Sequence, residues 1–177
     1  MKTLKTFMAV CLLFITLGVT AQNDKDKEVM AHADKAKAAL LEKDPGLEKF
    51  FDSASGYVIF PTIGKGALVI GGAMGNGVVY ENGNAIGMAN IKKLSVGLQA
   101  GGQALTEVIF FETDEALEKF KEGNFEFAAQ VSAVVADKGV SEDANYSDNV
   151  IVFAMPRAGL MADTSVGGQK FEYHPFK

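Results

Sequence analysis

Apolar and polar positions alternate with a period of two along much of this chain of 177 residues, most densely where glycine is frequent. From Ala67 onward one face of the pattern carries Ala67, Val69, Gly71, Ala73, Gly75 and Gly77. The other carries Leu68, Ile70, Gly72, Met74, Val78 and Tyr80. Alternation of this kind with β-branched and aromatic residues predicts strands. Glycine inside such a run signals a bulge, a bend or close backbone approach, and here it leaves one face nearly flat. Asn82-Gly83-Asn84 predicts a hairpin turn. A strand from Ile91 follows, then another from Ala104 to Phe111. Phe125–Ala136 shows the cleanest alternation, and Asp137–Asn149 is a polar loop. Val150–Met155 and Gly159–Val166 read as a hairpin with Pro156-Arg157 at its turn, and Lys170–Lys177 as a tail adding an edge strand.

The period changes to that of a helix in two places. Across Asp24–Phe51, Val29, Ala33, Ala36 and Leu40 make an apolar stripe that Met30 and Leu41 widen. Asp44-Pro45-Gly46 interrupts it, and Leu47, Phe50 and Phe51 predict a short second helix. The stripe is rich in alanine and lacks the bulky anchors of interfacial helices, so packing on a sheet is favoured over lying on a membrane. Thr113–Lys121 is a short helix capped by Thr113 or Asp114, with acids in its first turn and Gly123 ending it. These elements predict an α+β fold. A curved antiparallel glycine-rich sheet carries an N-terminal amphipathic helix and one short helix, with closure into a barrel as an open alternative.

Several ordered blocks carry a family resemblance. Tyr57-Val58-Ile59-Phe60-Pro61, Gly64-Lys65, Gly71-Gly72 and Gly75-x-Gly77-Val78-Val79-Tyr80 are followed by the run Ser95–Gln103 and by Val108-Ile109-Phe110-Phe111. Ala116–Phe120, Asn124-Phe125-Glu126-Phe127 and Gly159-Leu160-Met161-Ala162 complete the series. Together, over roughly residues 30 to 172, they resemble the SYLF domain. The resemblance implies a domain that binds acidic phospholipids, and actin in some eukaryotic members. It also implies an exported protein for bacterial members.

The first residues change the charge balance. Lys2 and Lys5 precede an apolar Phe7–Val19 segment and a small-residue site, Val19-Thr20-Ala21, the layout of a secretory signal. The expected organisation is a signal peptide over residues 1–21 and a single domain over residues 22–177. Its location would be periplasmic or extracellular. The whole chain carries a formal charge of −5, and without Lys2 and Lys5 it carries −7. The single cysteine, Cys11, lies inside the signal segment, so no disulfide is expected. A net acidic domain argues against nucleic acid as the main partner.

No sequence constellation for catalysis is present. Gly-x-Ser-x-Gly, His-Glu-x-x-His and the phosphate-binding Gly-x-x-x-x-Gly-Lys-Ser/Thr are missing from the sequence. The two histidines, His32 and His174, have no cysteine to activate, so a non-enzymatic domain without a cofactor is expected. A buried, paired Glu107 and Glu112 would revive the enzyme reading. Asp143-x-Asn145-x-Ser147 imitates the start of a calcium loop, but Asp148 and Ala154 stand where glycine and glutamate are needed. Basic residues remain: Lys65 between two glycines, Lys92 and Lys93 in a strand, and Arg157 at a turn. The expected lipid-binding site is Lys65, Lys92, Lys93 and Arg157, brought together if the fold gathers these turns at one end. The partner would be anionic phospholipid, a membrane surface or a lipid-like amphiphile. A protein-interaction or envelope-structural module is the alternative.

Overall fold

The computed structural model describes residues 24–64, 72–94, 104–123, 132–134, 139–156 and 169–176. Helix α1 covers residues 24–43, and Asp44 stops it where Pro45 cannot continue the hydrogen-bond ladder. A 3-10 turn, Pro45–Leu47, leads into α2, Glu48–Ser53. The strands are β1 (Gly56–Gly64), β2 (Gly72–Glu81), β3 (Asn84–Leu94), β4 (Leu105–Phe111), β5 (Ser132–Val134), β6 (Val150–Pro156) and β7 (Gln169–Pro175). Helix α3, Asp114–Lys121, lies between β4 and β5.

The strands make one sheet in the order β5-β6-β4-β1-β2-β3-β7. All pairings are antiparallel except β5 with β6, which run parallel. The run Phe125–Ala136 therefore contributes a strand over Ser132–Val134, and the rest of it lies outside the described residues. Strand β6 pairs with β4 and β5, while its expected hairpin partner Gly159–Val166 also lies outside them. The tail adds an edge strand, β7, as expected from the sequence.

The sheet curls strongly without closing into a barrel. Strands β1 and β7 are three spacings apart, about 14 Å across a flat sheet. Yet the rings of Phe60 on β1 and Phe171 on β7 have centroids 6.0 Å apart. Helix α3 fills the concave face. Its Phe120 lies 5.1 Å from the ring of Phe111 on β4 and 5.2 Å from that of Phe171. The Thr113 hydroxyl accepts from the Ala116 N–H to cap the helix, and Lys121 holds Glu81 at 3.1 Å, fixing α3 to the end of β2.

Helices α1 and α2 cover the other face. Ala33, Ala36 and Leu40 from α1, with Phe50 and Phe51 from α2, are buried against Tyr57, Tyr80, Phe110 and Phe153. Tyr57 and Tyr80 stack at 4.7 Å, and Lys37 sits 4.4 Å over the Phe51 ring. Tyr80 hydrogen-bonds Asp34, and burial together with that carboxylate pushes its hydroxyl above the usual tyrosine pKa. The N-terminal stripe is thus core, laid on an aromatic sheet face.

The small face also has an occupant. A bulge in β1 between Ile59 and Thr62 surrounds Pro61, which has no N–H to give the ladder. The bulge puts Ile63 on the same face as Phe60, three positions earlier. A Cβ added at Gly77 would lie 2.6 Å from Phe60 Cδ1 and 2.7 Å from the Ile59 carbonyl oxygen. At Gly75 the same atom would meet Ile63 Cγ1 at 2.9 Å. The glycines in β2 therefore make room for Phe60 and Ile63.

Candidate functional site

Antiparallel pairing brings six strand ends to one end of the sheet. Gly64 ends β1 opposite Met74 near the start of β2, and Leu94 ends β3 opposite Gly72. Leu105 begins β4 opposite Pro156 at the end of β6, and Gln169 begins β7 opposite Lys93. Lys65 and Arg157 lie outside the described residues. They follow in the chain directly after Gly64 and Pro156, the last residues of β1 and β6 at this end.

Strand geometry treats the two remaining lysines differently. Successive strand residues fall on opposite faces. Lys92 shares its register row with Met74 and Lys170, while position 93 shares its row with Ala73 and Gln169. The Lys92 row belongs to the face that α1 and α2 cover further along. Ala73 and Gln169 are buried on the concave face. Lys92 and Lys93, adjacent in sequence, therefore do not share a row.

On the Lys92 row the side chains are open to solvent. Lys92 Nζ donates to Glu172 Oε1 at 3.1 Å, with both side chains well exposed. That hydrogen bond, with the charge of Lys92, holds the Glu172 carboxyl below its ordinary pKa. Lys170 stands directly opposite Lys92 and is exposed. Met74 on the other side is 42% exposed, the more open of two large exposed apolar residues, Phe176 being the other, among the described residues. Further inward on this face, Asn90 Nδ2 and His174 Nε2, on successive rows, are 3.2 Å apart. Lys170 and Met74 were not among the residues expected from sequence. Lys170 read as part of a tail, and Met74 as one apolar position in a strand.

The acidic positions do not build a catalytic pair. Glu107 is 1% exposed in the middle of β4, level with Phe60, whereas Glu112 is exposed beyond the strand end. Five residues of extended chain put roughly 17 Å between them. Among the described residues, no group of three or more His, Cys, Asp or Glu is placed to hold a metal ion. The Asp143–Ser147 stretch is braced by its own contacts: Asn145 Nδ2 donates to the Asp143 carbonyl, and Tyr146 packs edge-on against Phe50. No helix among the described residues is long and apolar enough to cross a membrane.

The later blocks of the series have a match among known families. Residues 92–174 match the Ysc84 family, described as Las17-binding protein actin regulator. Over that stretch, a little under half of its length, the chain is similar to the SYLF family. The matched stretch runs from Lys92 near the end of β3 to His174 on β7, so it includes both residues of the Lys92–Lys170 pair. The chain is also 27% identical over 141 residues to a protein named Beta cell expansion factor A from Aeromonas veronii, covering 78% of this chain. It spans about half of that relative, 53% of its length. A SYLF domain is a lipid-binding or protein-interaction domain in general terms.

Proposed function

We propose that this chain is an exported, non-catalytic SYLF domain that binds anionic phospholipid through basic residues at one end of its sheet. Lys65, Lys92, Lys93 and Arg157 are the proposed headgroup contacts. The observation that carries the reading is the exposed Lys92–Lys170 pair, at the end from which the chain runs on to Lys65 and Arg157. Each basic residue near an anionic surface contributes about 1 kcal/mol, so three or four offset repulsion from an acidic domain whose distant charges are screened. Apolar exposure favours the same end, because Met74 lies beside Lys92. The second reading is a protein-interaction module. It draws on the family description, which concerns Las17 and actin, and on Phe176, exposed near the opposite end of β7.

Sedimentation with phosphatidylcholine vesicles, plain or doped with phosphatidylglycerol, tests the proposal at low and physiological salt. Binding is expected only with the anionic lipid, falling with salt and lost in Lys65→Glu/Arg157→Glu. A folded protein that sediments with neither vesicle would overturn the lipid reading and leave the interaction module leading.

A further inference from the structure

The row Met74–Lys92–Lys170 has a composition that a buried or purely structural position does not explain. Two ammonium groups directly opposite on neighbouring strands repel, and such pairs destabilise a sheet. Here Glu172 neutralises Lys92, while Lys170 keeps its exposed cross-strand place. On the far side of Lys92 a thioether side chain is left 42% in water. The three positions span two strand spacings, about 10 Å, on one face of the sheet. A small free anion would use the ammonium groups and gain nothing from the methionine. A packed layer of anionic amphiphiles presents both an anionic headgroup plane and apolar chains just beneath it.

We infer that Met74, Lys92 and Lys170 form a membrane-contact row in which Met74 enters the acyl boundary and the two lysines meet headgroup phosphates. The inference rests on the lipid reading above and narrows its partner from a phospholipid headgroup to an intact lipid surface. Glu172 is then a restraint on the site. It competes with lipid phosphate for Lys92, and the row engages fully once that ion pair gives way.

This arrangement predicts a gain as well as losses, all read by sedimentation of the full chain with phosphatidylcholine–phosphatidylglycerol vesicles. Glu172→Gln frees Lys92 and removes a negative charge, so vesicle affinity should rise about five-fold, the effect of about one basic residue at such a surface. Lys170→Gln should lower it about five-fold on the same scale. Met74→Gln should lower it about ten-fold, because a buried thioether chain is replaced by a solvated amide. Soluble glycerophosphoglycerol at the same headgroup concentration should compete poorly. The row is overturned, with the lipid reading intact, if the wild type binds vesicles and the three variants bind equally well. It is also overturned if Glu172→Gln weakens binding, or if the soluble headgroup competes as well as vesicles. Wild-type protein that binds no vesicle overturns both.

Discussion

Asp44 offers the sharpest test of how the N-terminal helices are held to the rest of the domain. It is 1% exposed, at the break between α1 and the 3-10 turn. Its Oδ1 accepts from the Gly46 N–H at 3.1 Å, and its Oδ2 accepts from the Ser141 N–H at 2.8 Å. One carboxylate thus satisfies the turn that ends α1 and fastens a loop from far along the chain. Asp44→Asn keeps the shape but turns one acceptor into a donor, so one buried backbone N–H loses its partner. An unsatisfied buried group costs about 1–3 kcal/mol, and losing charge assistance at the other bond brings the total to about 2–4 kcal/mol. For a domain of this size that lowers Tm by about 5–12 °C. The pH dependence has a definite sign. Burial alone raises the Asp44 pKa, but hydrogen bonds from Ser141, Gly139 and Gly46 outweigh it and hold the carboxyl below its ordinary value. A depressed folded pKa stabilises the protein above the unfolded value, about 3.9, and that stability is lost as pH falls through the folded value. Thermal unfolding followed by circular dichroism should therefore show a large gap between wild type and variant at neutral pH that narrows in acid. A gap of under about 1 °C at neutral pH, or one that stays constant into acid, would refute the assignment.

Two further substitutions test the packing. Gly77→Ala places a methyl against the Ile59 carbonyl, which cannot retreat without breaking the β1–β2 ladder. It should cost about 2–3 kcal/mol in urea unfolding. Gly83→Ala, in the Asn82-Gly83 turn at φ +77° with open space around it, should cost only about 1–2 kcal/mol from backbone strain. If the two glycines rank in the reverse order, Phe60 does not fill the flat face at Gly77 as described. Phe120→Ala removes the ring that joins Phe111 to Phe171 and should cost about 3–5 kcal/mol. A loss below about 1 kcal/mol would mean that α3 does not hold the curl of the sheet.

Local chemistry was legible in the sequence, and long-range geometry was not. Asn82 and Gly83 both have positive φ, as a two-residue hairpin turn requires, and Asn-Gly announces that turn. Thr113 caps α3, and Gly123 closes it at φ +74°. The break at Asp44-Pro45 needs only proline's missing N–H to be seen. By contrast, alternation in Phe125–Ala136 predicts a strand but names neither partner nor direction, and the parallel pairing of β5 with β6 follows from the path of the chain. The row of small residues in β2 was visible, but its occupant depends on a bulge in β1 that shifts register by one residue. Curvature is still less local, since it shows in rings such as Phe60 and Phe171 meeting across three strand spacings.

The site divides along the same line. Lys92-Lys93 reads as one basic patch in the sequence, yet a strand separates the two onto different rows. The residue that joins Lys92 is Lys170, and the one that restrains it is Glu172, 80 positions along the chain. Only the pairing of β3 with β7 creates that cluster. A partner lying flat on the α1/α2 side of that end meets Met74, Lys92 and Lys170 at once. The register therefore makes the direction of approach part of the recognition, because a thioether and two ammonium groups share a face only along this row.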